Sequence, residues 1–142
     1  MIRKAQAVWE GDSKGSGNLS VQSGALSEQP YSMKLRFENE DGKKGTNPEE
    51  LIAAAHAGCF AMALSVELEK AGHKAETLNV NAELSLNKGD GGWSIDKIDL
   101  KLKAIVTDIS EDEFDRIANG AKENCPVSKL LDTDIELHYT LN

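Results

Sequence analysis

Apolar residues along this chain change their spacing several times, and the changes outline its elements. Near the N-terminus Ala5, Ala7 and Trp9 alternate with polar neighbours, and Leu19 and Val21 carry a second short run beyond a flexible turn from Gly11 to Gly17. Tyr31, Met33, Leu35 and Phe37 then alternate with Ser32, Lys34, Arg36 and Glu38, which predicts a half-buried strand with Arg36 on its polar face. Asp41-Gly42 and Gly45 make the loop that follows. From Asn47 to Gly72 the alternation disappears. Asn47 is a side-chain N-cap, Pro48 suits the first helical position, Glu49 and Glu50 sit in the positive first turn, and Gly72 is a C′ residue, so this stretch is a helix. The sixteen residues Leu51 to Val66 carry no formal charge, so the helix is expected to be buried on every side. That run falls short of the ~20 apolar residues that span a bilayer, which points to burial in protein.

Period two returns after Gly72. Leu78, Val80, Ala82, Leu84 and Leu86 form a strand, and Lys88 to Gly92 turn the chain back antiparallel. On the return Trp93 and Ile95 fall on odd positions but Ile98, Leu100, Leu102, Ala104 and Val106 on even ones, so a bulge is expected near Asp96-Lys97. Ser110 with Glu113 reads as a capping box for an amphipathic helix carrying Phe114, Ile117, Ala118 and Ala121 to about Asn124. Pro126 breaks it, Val127 to Leu131 give a short helical turn, and Ile135, Leu137, Tyr139 and Leu141 are a last strand. The order β-β-β-α-β-β-α-β implies an α+β fold, with antiparallel sheets around a long buried central helix in a single domain, 1–142. A 25-residue helix would run roughly 37 Å, more than one compact chain of this size covers, so a second subunit is expected to bury part of it.

Composition narrows the function. The formal charge of −8 and the absence of a basic patch argue against nucleic acid as a partner. Met1 to Ala5 lead straight into polar sequence with no apolar signal or anchor, which points to the cytoplasm. In that reducing compartment two cysteines are not expected to form a permanent staple.

No phosphate loop, His-Glu-x-x-His, Cys-x-x-Cys or Gly-x-Ser-x-Gly occurs, which leaves the thiols as candidate chemistry. Cys59 lies in the middle of the apolar helix one turn from His56, and Cys125 stands immediately before Pro126 at the start of a short helix. A thiol near a helix N-terminus or a cation has a lowered pKa, and the thiolate is the nucleophile. On residue types alone a buried structural role for both cysteines, a core role for His56, and a zinc site from His56, Cys59 and Cys125 all stay open. Arg36 could equally be a solvated residue, and Glu49 and Glu50 capping charges.

The segment Gly45-Thr46-Asn47-Pro48-Glu49-Glu50-Leu51, followed by Ala54-Ala55-His56-Ala57-Gly58-Cys59-Phe60 and later by Asn124-Cys125-Pro126-Val127-Ser128, resembles the OsmC proteins, relatives of the organic hydroperoxide resistance proteins. The resemblance extends from Trp9-Glu10-Gly11 through Gln29-Pro30-Tyr31 and Arg36-Phe37 to the last strand. It implies a thiol-dependent peroxidase that prefers organic hydroperoxides and works as an intertwined homodimer, with a dithiol reductant such as a lipoylated protein and no cofactor or metal. By the same resemblance Cys59 is the peroxidatic thiol, Cys125 the resolving thiol, and Arg36 with Glu49 the polar pair that activates Cys59; Glu50 is the alternative carboxylate. In such a cycle Cys59 becomes a sulfenic acid and condenses with Cys125 to a disulfide. Leu51, Ile52, Phe60, Met62 and Met33 are expected to line an apolar approach.

Two other classes compete with this reading: a non-catalytic ligand-binding or stress-interaction dimer with structural cysteines, and a metal-binding thiol protein. Helix geometry adds one further expectation. Glu49 and Cys59 are ten residues apart, ~15 Å of rise on one straight helix, so the carboxylate nearest Arg36 and Cys59 is expected to come from the partner chain.

Overall fold

The computed structural model describes residues 1–38 and 45–142, and the expected Asp41-Gly42 turn lies outside them. By internal contacts the chain divides into two units, Met1–Leu51 and Ile52–Asn142.

In the first unit β1 (Ala5–Glu10), β2 (Ser16–Val21) and β3 (Gln29–Ser32) form an antiparallel sheet in that order. Gly17 sits between Trp9 and Tyr31 in the register, and a Cβ there would stand 2.0 Å from the Val8 carbonyl oxygen, so only glycine allows this pairing. The two flanking rings close over it with centroids 5.4 Å apart. The strand expected to continue through Glu38 does not: residues Met33–Glu38 form a short helix, α1. Ser32 pairs with Ser16, the first residue of β2, so no ladder partner remains beyond it. Ser32 Oγ instead accepts the Leu35 N–H at 3.0 Å, an N-cap bond that starts the helix.

Helix α2 (Pro48–Lys70) has the caps that the sequence calls for. Asn47 Oδ1 accepts the Glu50 N–H at 2.8 Å. At the other end Gly72, at φ +87°, donates to Glu69 O, and His73 donates to Leu68 O, the two bonds of a Schellman motif. Burial on every side is not observed. His56, Phe60, Leu64 and Leu68 form one buried stripe, while Ala54, Ala55, Gly58, Met62 and Val66 are exposed. The helix is long and apolar enough to cross a membrane by length and composition. Its enclosed stripe packs into the core of the second unit, as a core helix does.

That unit contains β4 (Ala75–Gly89), β5 (Gly92–Val106), α3 (Glu111–Asn124), α4 (Pro126–Leu130) and β6 (Asp134–Leu141). Strand β5 is central, and its residues Ile98, Leu100, Leu102, Ala104 and Val106 meet Phe60, Leu64 and Leu68 of α2 and Phe114, Ala118 and Ala121 of α3 in one core. The expected bulge is present: Ser85 pairs with Lys97 and Leu86 with Ile95, leaving Asp96 as the extra residue. Ser110 Oγ caps α3 by accepting the Glu113 N–H, but Glu113 turns its carboxylate to His73, 3.3 Å away. The α+β class stands, with one pairing different from expectation: β6 runs parallel to β5. The α3–α4 connection carries the chain back along the sheet, which a parallel pairing requires.

Candidate active site

Two pairs of side chains carry the chemistry, one in each unit. In the first, α1 presents Arg36 and the opening turn of α2 presents Glu49. Arg36 Nε donates to Glu49 Oε2 at 3.0 Å and Nη2 donates to Oε1, a bidentate ion pair. Only 13% of the Glu49 side chain is exposed, and the guanidinium also stands 5.1 Å from the Phe37 ring centre. Within the chain, Glu49 is the carboxylate paired with Arg36. Arg36, in the last turn of α1, reaches the first turn of α2 through this pair. Glu50 is exposed and its carboxylate accepts from Thr46 Oγ1, so Glu49 is the residue paired with the arginine.

The second pair is Cys59 and Cys125, both free thiols, which come within hydrogen-bonding reach of one another. Cys59 is half-buried on α2, and Cys125 is fully buried at the junction of α3 and α4. Burial pushes the Cys59 thiol up, against the pull of the Val127 N–H, and the neighbouring Cys125 adds to the rise. Burial also opposes the Cys125 thiolate, but the Ser128 N–H, the Cys59 thiol, the Ser128 hydroxyl and the Val127 N–H outweigh it and hold Cys125 below its ordinary value. The first two N–H groups after Pro126 thus face the sulfurs, although Cys125 closes no side-chain cap bond. The two thiols are thus pushed in opposite directions, Cys59 up and Cys125 down. Among the described residues, none of the groups acting on Cys59 is a cation.

His56 is fully buried, and burial holds it below the ordinary histidine value. Its Nε2 meets Ser128 Oγ at 2.8 Å, a hydroxyl and not a sulfur. Ser128 is the residue that sequence reasoning passed over, visible there only as the last position of the Cys125 motif. Among the described residues Asp99, Glu136 and His138 do bring three candidate metal ligands within 4.8 Å, but Lys97 Nζ already bridges Asp99 and Glu136 at 3.1 and 3.0 Å. Phe60 is fully buried in the core and cannot line the approach to Cys59, whereas Leu51, Ile52 and Met62 keep accessible surface.

The family model for OsmC-like protein matches residues 40–140. The chain is 50% identical over 140 residues to Peroxiredoxin OsmC of Escherichia coli strain K12, covering 98% of this chain and 96% of that protein. Among solved structures, the organic hydroperoxide resistance protein OhrB of Bacillus subtilis is 27% identical with a TM-score of 0.70, covering 100% of this chain and 98% of that one. An OsmC-like protein of unknown function from Vibrio cholerae O1 biovar eltor shares the fold at a TM-score of 0.80 and 17% identity, with 99% of each chain covered. With the family match extending over most of its length and half of its residues identical to a relative covered almost end to end, the chain belongs to the OsmC-like protein family.

Proposed function

We propose that this protein is a thiol-dependent peroxidase that reduces organic hydroperoxides to alcohols, and hydrogen peroxide more weakly. The observation that carries this reading is the pair of free thiols, one half-buried and one fully buried, in mutual contact at the start of α4. The names of its relatives support it: one is a peroxiredoxin and another confers organic hydroperoxide resistance. Cys59, the more accessible sulfur, attacks the peroxide oxygen, releases the alcohol and becomes a sulfenic acid. Cys125 then displaces hydroxide from that sulfur and closes the disulfide, before further oxidation traps Cys59. A dithiol, of which a lipoylated protein is one example, reopens it.

The active unit is a homodimer in the cytoplasm. The exposed apolar face of α2, with Ala54, Ala55, Gly58, Met62 and Val66, is the surface a second copy covers. The Cys59 thiol supports a shared site: burial raises its pKa, and a cation beside the sulfur would favour the nucleophilic thiolate. Arg36, fixed by Glu49, supplies that cation from the partner chain. Leu51, Ile52 and Met62 leave apolar surface for an alkyl or aryl tail.

The test is intact-mass analysis after one equivalent of cumene hydroperoxide. Loss of two hydrogens, mapped to a Cys59–Cys125 bridge, is the expected result. An unchanged mass overturns the reading and leaves a binding dimer with structural cysteines.

A further inference from the structure

Beside the thiol pair stand two side chains that the cycle above does not use. His56 lies on the enclosed stripe of α2, one helical turn before Cys59, and Ser128 follows Cys125 by one turn of α4. They are 72 residues apart in sequence and meet at 2.8 Å through His56 Nε2 and Ser128 Oγ. The other ring nitrogen, Nδ1, is buried and has no hydrogen-bond partner. That asymmetry decides the tautomer. A buried N–H with nothing to donate to is rarer and costlier than an unfilled lone pair, and burial disfavours the doubly protonated ring. The proton therefore sits on Nε2, and Nε2–H donates to Ser128 Oγ. With that oxygen accepting from His56, the serine hydrogen is free to point at Cys125, whose sulfur lies beside the Ser128 hydroxyl.

We propose that His56 and Ser128 form a hydrogen-bond relay, His56 Nε2–H to Ser128 Oγ–H to Cys125 Sγ, that holds the resolving sulfur as an aimed thiolate. This inference rests on Cys125 being the resolving thiol. Both members are positioning residues, since neither touches the peroxide. In the step they serve, the electron pair of the Cys125 thiolate forms the S–S bond to the Cys59 sulfenic sulfur while the S–O bond breaks. Hydroxide departs and takes a proton from solvent to become water. The relay also gives the reopening step a direction. A dithiol reaches the half-buried Cys59 sulfur before the enclosed Cys125, so exchange there expels Cys125, and the same hydroxyl steadies the leaving thiolate.

Rapid-quench oxidation of the full chain with cumene hydroperoxide, followed by intact mass, separates sulfenic acid formation from disulfide closure. Ser128→Ala and His56→Leu should slow closure by about tenfold or more relative to sulfenic acid formation, because a hydrogen bond to a charged sulfur is lost. Overoxidised Cys59 should then accumulate. Ser128→Thr keeps the hydroxyl and His56→Gln places an amide N–H near the Nε2 position, so both should keep closure within about threefold of the wild type. Unchanged closure in Ser128→Ala, or equal slowing in Ser128→Thr, overturns the relay while the peroxidase reading stands. Failure of the wild type to form sulfenic acid at Cys59 overturns both. Should Ser128→Ala not fold, the Ser128→Thr and His56→Gln proteins decide alone: retained closure supports the relay and slowed closure overturns it.

Discussion

Arg36 and Glu49, from α1 and the first turn of α2, close two parallel guanidinium–carboxylate hydrogen bonds within one chain. The bidentate geometry fixes the plane of the guanidinium, which a single contact would leave free to rotate. Because little of the Glu49 carboxylate meets solvent, this pair is screened less than a surface ion pair. Glu49→Gln should lower kcat/KM for an organic hydroperoxide by about tenfold to a hundredfold, the cost of losing a charge-assisted contact that orients the activating cation. Arg36→Lys should be as damaging, since an ammonium cannot reproduce the fork. Glu50→Gln should stay near wild type, because Glu50 is exposed and bonded to Thr46. Steady-state peroxide consumption checks all three, and a Glu50 effect as large as the Glu49 effect would reassign the carboxylate.

The thiols should separate cleanly in single-turnover work. Cys59→Ser should abolish peroxide consumption. Cys125→Ser should consume about one equivalent and then stall or overoxidise, since its sulfenic acid has no partner sulfur within the chain. Full steady-state activity in Cys59→Ser would remove Cys59 from the chemistry.

A stability prediction follows from His56. Burial lowers its pKa from the ordinary 6.5, so below that pH the unfolded chain binds a proton that the folded chain refuses. The contribution to stability is complete above about pH 6.5 and is lost as the pH falls toward the folded value, at no more than about 1.4 kcal/mol per pH unit for one group. Chemical denaturation at several pH values should show a steeper acid loss in the wild type than in His56→Gln. Parallel curves would mean that His56 takes up its proton in the folded state.

Much of this architecture was legible in the sequence because local rules and tertiary packing agree there. Asn47, Pro48 and Gly72 bracket α2 by capping chemistry that needs no tertiary partner, and the parity change between Ile95 and Ile98 marks the bulge at Asp96. Alternation misled at Met33 to Glu38, because a six-residue run satisfies period two and a short helix alike, and the start of β2 at Ser16 decides between them. The parallel β6 was hidden for a similar reason, since strand direction depends on the path of the connection and not on the strand's own residues. At the site, the residues that the motifs single out come together as two pairs, Cys59 with Cys125 and Arg36 with Glu49. Ser128 acquires its meaning only from a contact with His56 that spans 72 residues of sequence.

The last prediction concerns where the arginine acts. Arg36 is tied to Glu49, and Glu49 is ten residues before Cys59 on α2, ~15 Å of rise along a straight helix. Antiparallel packing of two α2 helices across a two-fold axis would bring the first turn of one beside the middle of the other, and would cover the exposed Met62 and Val66 in the same contact. Each site would then take its ion pair from one protomer and its thiols from the other. Mixing Glu49→Gln protein with Cys59→Ser protein tests this directly. Each homodimer should be impaired, whereas the heterodimer places wild-type Glu49 and wild-type Cys59 at one of its two sites and should recover up to about half the wild-type rate per dimer. The alternative, a site completed within each chain, predicts no recovery, because every Cys59 would remain beside a substituted Glu49. Verified heterodimers without any gain in rate would therefore return Arg36 to its own protomer's thiol, and a fully active monomer would do the same.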